Sequence, residues 1–127
     1  MNVRIYNTGN NPTPKYKHDG DAGFDLHCNE DILIIPASTV LVDVGFRIDI
    51  PYGYEGQLRL RSSYAKKGII IPNAPGTIDH GYKGPVMVPL YNLTHSPIEI
   101  HKGERFCQMV INEIPYVSLK SVNKDEF

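Results

Sequence analysis

The chain has 127 residues, a mass of 14.3 kDa, 41% hydrophobic side chains and 13 Lys+Arg against 14 Asp+Glu, which is enough for one domain with a packed core and too little for two. Its balanced, scattered charge argues against a polybasic surface for nucleic acid or membrane. The longest purely apolar run, Ile32 to Ile35, falls far short of the roughly 18 residues that a membrane span requires.

In chain order, Met1 to Asn7 carries charge without an apolar stretch behind it, so no secretory signal is visible and the expected location is cytoplasmic. Asp21-Ala22-Gly23-Phe24-Asp25-Leu26 reads as a turn flanked by two carboxylates. Val40, Val42, Val44, Phe46, Ile48 and Ile50 occupy even positions while Asp43, Arg47 and Asp49 occupy odd ones, the period-two pattern of a half-buried strand. The pattern returns in Leu58 and Leu60, in Val86, Val88 and Leu90, in Ile98 and Ile100, and in Phe106, Gln108 and Val110. Gly and Pro, 11 and 10 residues, make up about one-sixth of the chain against roughly 12% in average usage, too much punctuation for a helical bundle. The fold class is therefore all-β, a sandwich or barrel. Neither an internal repeat nor a low-complexity tract interrupts it.

One segment departs from the strand pattern. Ser62-Ser63-Tyr64-Ala65-Lys66-Lys67-Gly68 has hydroxyls to open a helix and a glycine to close it, giving at most two turns. With Arg59 and Arg61 just before it, this turn is a candidate anion site, or an ordinary capped surface turn.

Further along, Asn73 to Gly84 gathers Asn73, Gly76, Thr77, Ile78, Asp79, His80, Gly81, Tyr82 and Lys83 between apolar strands. The alternation around Ile78 predicts a hairpin with Asp79 and Tyr82 near its tip, and with Gly76, Gly81 and Gly84 allowing close approach of a flat ligand. The bland reading is a surface hairpin in which Asp79 merely forms the turn. Likewise, Asp21 and Asp25 are either partners for a hydrated Mg²⁺ beside a triphosphate, or Asp25 only satisfies backbone N–H groups in the turn. Cys28 and Cys107 lack any metal or redox spacing and read as buried neutral thiols. The five histidines show no metal-ligand spacing either.

Taken in order, Ala22 to Leu26, Arg61-Ser62-Ser63, Asn73 to Gly84 and Gly103-Glu104-Arg105-Phe106-Cys107-Gln108 resemble the successive motifs of the homotrimeric dUTP pyrophosphatases, the dUTPases. The resemblance runs from Ala22 to Gln108, and it is closest along the third segment.

The resemblance implies a single dUTPase-like domain over residues 1–127. The subunit would be a jelly roll or distorted β-barrel with one short helix, assembled as a homotrimer with active sites between subunits. Its partner would be dUTP, with neither nucleic acid nor membrane, and Mg²⁺ its cofactor. The activity implied is hydrolysis of dUTP to dUMP and pyrophosphate, which limits uracil incorporation into DNA and supplies dUMP for dTMP synthesis. Asp79 falls at the family's general base. Tyr82 falls where a ring packs on deoxyribose, and Asn73 with the Gly76, Thr77 and Ile78 backbone where the uracil edge is read, a pocket completed by Met87. Arg61, Ser62 and Ser63 match the phosphate-binding motif, Asp25 the carboxylate that holds Mg²⁺ through water, and Gln108 a phosphate contact.

Three features depart from the family pattern. The family's fifth motif, a glycine-rich tail supplying an Arg for the γ-phosphate and a Phe over the base, is not in the sequence up to Phe127, and turnover without such a lid is expected to be lower by orders of magnitude. Leu60 stands where Pro is common, and His80-Gly81 where a small and an acidic residue often occur. Two other readings compete. A dCTP deaminase shares similar segments but needs a glutamate ten residues after the shared aspartate, where this chain has Pro89, a residue with no proton to transfer. A non-catalytic dUTP-binding or regulatory module of the same fold would keep the pocket without turnover.

Overall fold

The computed structural model describes residues 1–127. The even-phase apolar residues of the long central stretch form β4 (Thr39–Asp49), flanked by β1 (Arg4–Asn7) and β8 (Pro85–Asn92), with the short β6 (Ile69–Ile70) beyond β8. A second four-stranded sheet runs in the order β2 (Phe24–His27), β10 (Arg105–Glu113), β5 (Tyr54–Leu60) and β7 (Gly76–Ile78). A two-stranded ribbon joins β3 (Ile32–Ile34) to β9 (Ile98–Ile100). All strand pairs are antiparallel.

The inner faces of the two large sheets meet in one core of 21 buried residues. Val42, Val44, Phe46, Val86, Val88 and Leu90 come from the first sheet, and Phe24, Leu26, Leu58, Ile78, Cys107 and Met109 from the second. This is the all-β sandwich expected from the period-two patterning, in the jelly-roll form that the resemblance implies. No helix is long and apolar enough to cross a membrane.

Three local expectations are corrected. The alternation Phe106, Gln108, Val110 does not mark one face, because the register between β10 and β2 shifts between Arg105 and Cys107. This bulge lets Phe106 and Cys107 both enter the core, and beyond it the inward residue is Met109 while Gln108 turns outward. The helix is a single turn, α1 (Ser62–Ala65), with Arg61 at the N-cap and no side-chain capping bond, so the serines do not cap it.

Finally, Asn73 to Gly84 is no hairpin. β7 pairs with β5 in the second sheet and β8 pairs with β4 and β6 in the first, so residues 79–84 cross from sheet to sheet. The alternation was real on both sides of the loop, but only partner choice in three dimensions says which strands pair.

Candidate active site

On the outer face of the second sheet, Asp25 on β2 is the cross-strand partner of Gln108 on β10, and Gln108 is in turn the partner of Arg59 on β5. Strand alternation turns all three away from the core. Asp25 Oδ2 lies 3.4 Å from Arg105 Nη1, and the carboxylate is largely sheltered, its side chain 22% exposed. Its only side-chain bond is to Arg105 and not to a backbone N–H, whereas the Asp21 carboxylate accepts the His18 N–H at 2.9 Å and closes the turn before it. Neighbouring His27 has its pKa lowered, first by burial and to a lesser degree by Arg105, against the opposing pull of Asp25.

The α1 turn stands beside this row. The Arg61 N–H donates to the Phe106 carbonyl, and Arg61 Nη1 to the Arg105 carbonyl, both at 3.0 Å. The arginine therefore ties α1 to β10 with its own guanidinium, leaving Ser62 and Ser63 exposed at the start of the turn. A second tie comes from buried Tyr64, which donates its hydroxyl to Glu104 at 2.5 Å. Burial, with the Glu104 contact adding to it, pushes the Tyr64 phenol up to about 12. Burial also acts to raise the Glu104 pKa, but the Tyr64 hydroxyl and the His101 N–H outweigh it and leave the carboxyl below its ordinary range.

At the opposite edge of the sheet, β7 buries Gly76 and Ile78 and exposes Thr77, so Asp79 emerges into solvent where pairing with β5 ends. The crossover continues through a turn closed by Tyr82 N–H donating to the Asp79 carbonyl at 3.2 Å. Gly81 takes φ +91° in that turn, a conformation that disfavours any side chain. The Tyr82 ring is 42% exposed and is held by its hydroxyl donating to the Pro85 carbonyl at 2.6 Å.

The other two glycines are closely packed by neighbouring side chains. A Cβ on Gly84 would come within 2.8 Å of the Tyr82 hydroxyl, and one on Gly76 within 3.1 Å of the Leu58 Cβ. A cleft of about 320 Å³ opens beside Asp79, with Tyr52, Tyr54, His80 and Tyr116 among its walls. Asn73 is exposed ahead of β7, and Met87 is half-buried on β8 opposite Asp43. The thiols of Cys28 and Cys107 are free and buried, and burial pushes Cys107 up to about 12.

The candidate residues thus fall into two groups. Ile78 and Gln108 are separated by two strand spacings and three residues along β10, since Gly56 of β5 pairs with both Ile78 and Ile111. That amounts to about 14 Å between their Cα atoms, at ~4.8 Å per strand and ~3.3 Å per residue.

The dUTPase family model matches residues 9–126. The chain belongs to the dUTPase family. The deoxyuridine 5'-triphosphate nucleotidohydrolase of a Hydrogenobaculum species is 45% identical to it over 115 residues, covering 89% of this chain and 78% of that protein. The fold matches that of a mutant Staphylococcus bacteriophage 80alpha dUTPase with dUpNHpp, with a TM-score of 0.89 at 24% identity over 97% of both chains. It also matches a mutant dUTPase from phage phi11 of S. aureus, described for its coordination of a structural Mg(II) ion, with a TM-score of 0.89 at 22% identity over 98% of both chains.

Tyr64, which ties α1 to Glu104 in this dUTPase-family chain, carried no signal in the sequence. Tyr64 reads as an ordinary helix residue until Glu104, forty positions later, is seen to meet it.

Proposed function

We infer that this chain is a dUTP diphosphatase, hydrolysing dUTP to dUMP and pyrophosphate. The observation that carries the reading is one exposed carboxylate, Asp79, held in a single crossover with the half-exposed ring of Tyr82, in a chain of the dUTPase family. Asp79 accepts a proton from water as that water's oxygen bonds to the α-phosphorus. The bond from the α-phosphorus to the bridging oxygen breaks, and pyrophosphate leaves with the electron pair. Tyr82 packs on the deoxyribose, while Asn73 and the Gly76, Thr77 and Ile78 backbone pair with the uracil edge and Met87 completes the pocket.

Ser62 and Ser63 donate to phosphate oxygens and Gln108 contacts them, with Arg61 fixing the turn that presents the serines. Asp25 suits a hydrated Mg²⁺: it is a single sheltered carboxylate beside the phosphate-binding row, with no cluster of three acidic, His or Cys side chains to strip the ion's waters. When bound, the ion neutralises phosphate charge.

The two residue groups are too far apart in one chain to act on one α-phosphate. The site is therefore completed between copies, with Asp25, Gln108 and α1 from one subunit and the Asp79 crossover from another, and the resemblance to the family makes the assembly a homotrimer. The free thiols suit the cytoplasm. Neither nucleic acid nor membrane is a partner in this reading.

Incubation with Mg²⁺ and an equimolar mixture of dUTP, dCTP, dTTP and UTP tests it. dUMP and pyrophosphate should be the products, and Asp79→Asn should abolish turnover while retaining dUTP binding. Binding of dUTP by the parent without product would favour the regulatory module instead. Deamination of dCTP would favour the deaminase, whose glutamate position holds Pro89 here.

A further inference from the structure

The chain crosses between its two sheets at Ile50 to Gly53, from β4 to β5, and again at residues 79–84, from β7 to β8. These crossovers lie side by side. His80 Nδ1 is 2.8 Å from the Ile50 carbonyl oxygen, and the His80 ring meets Tyr52 edge-on, 5.6 Å between centroids at 89°. At the far end of the loop, Arg47 Nε donates to the Lys83 carbonyl at 2.6 Å, and the Lys83 ammonium pairs with Asp49. The crossover that carries Asp79 and Tyr82 is thus fastened to the end of β4 at both of its ends. A carbonyl oxygen only accepts, so Nδ1 must carry the proton in the His80–Ile50 contact.

We propose that His80 is the positioning residue for Asp79, acting through an Nδ1–H bond to the Ile50 carbonyl that fixes where the carboxylate leaves β7. This rests on the reading of Asp79 as general base. Its reason is geometric: Asp79 is the first residue beyond the last ladder pair, Ile78 with Gly56, so no sheet bond holds its direction. The next side chain along is the one that is anchored. A base displaced by an ångström loses rate without losing ligand contacts elsewhere, up to about a hundredfold.

The experiment compares His80→Ala and His80→Asn with the parent in dUTP hydrolysis, with thermal melting and light scattering as controls for folding and assembly. Asparagine places an amide N–H where histidine has Nδ1, and so rebuilds the anchor. His80→Ala should lower kcat at least tenfold with KM within twofold, and His80→Asn should stay within threefold of the parent on both. An alanine variant with parental kcat, a change in KM alone, or an asparagine variant no better than alanine would overturn the proposal.

Nitrogen-15 NMR of the parent's histidine side chains supplies a readout that needs no activity and no variant. Neutral His80 should be the Nδ1–H tautomer, and the Nε2–H tautomer would sink the anchor. If the parent fails to cleave dUTP, the functional reading fails by itself, and the tautomer still decides whether His80 is fastened as described.

Discussion

Asp25 and Asp79 stand on opposite edges of one four-stranded sheet, Asp25 on β2 and Asp79 at the end of β7, with β10 and β5 between them. Three strand spacings alone separate those edges by about 14 Å. Both carboxylates belong to motifs that resemble one family set, and in the proposed dUTP diphosphatase their separation within a subunit is bridged by a second copy.

That geometry predicts complementation. Asp25→Asn and Asp79→Asn chains should each be nearly inactive alone. Co-refolded in equal amounts, they should recover about one quarter of parental dUTPase activity, because in a closed ring of shared sites one junction in four pairs the two intact carboxylates. Absence of any recovery in mixed oligomers confirmed by native mass spectrometry would place the whole site within one chain.

Gly84→Ala tests the sugar platform. A Cβ there lies within 2.8 Å of the Tyr82 hydroxyl and 2.9 Å of its ring, so the ring must move from its bond to the Pro85 carbonyl. The expected outcome is about a tenfold loss in the kcat/KM ratio of dUTP over UTP, since a displaced ring no longer fills the space of a 2′-hydroxyl. Steady-state kinetics on both nucleotides reads this directly.

Tyr64→Phe removes the hydroxyl that meets Glu104. At neutral pH the variant should be about 1 kcal/mol less stable, the worth of one sheltered hydrogen bond to a carboxylate after allowing for its partial exposure. The phenol's pKa is raised from 10.0 to about 12 in the fold. Its contribution is therefore complete below pH 10 and is lost as pH rises through 12. Thermal melts should show the gap between parent and variant closing across that window, constant around neutral pH, and narrowing again in acid as the Glu104 carboxylate takes up its proton.

Asn92 is fully buried, and its amide serves four partners: Nδ2 donates to the Ile34 and Ser96 carbonyls, and Oδ1 accepts from the Thr94 N–H and hydroxyl. Asn92→Ala leaves the two carbonyls and the amide without that partner, at a cost of about 2–4 kcal/mol. Urea denaturation should show a lower midpoint with little change in slope, because the fold and its exposed area on unfolding stay the same.

Residue order along the chain was enough to read the strand character of Val40 to Ile50, the buried thiols, the short turn after Arg61 and the motif set from Ala22 to Gln108. Each is written in local order, in a period of two, in residue type or in spacing along the chain. The fold in three dimensions settled that Gln108 faces outward past a bulge, that Arg61 uses its guanidinium on the Arg105 carbonyl, and that Asn73 to Gly84 joins two sheets instead of turning back on itself. It also decided that His80 reaches Ile50, thirty residues away. These outcomes depend on which strands become neighbours, and a pattern of alternation is the same whichever neighbour a strand finds.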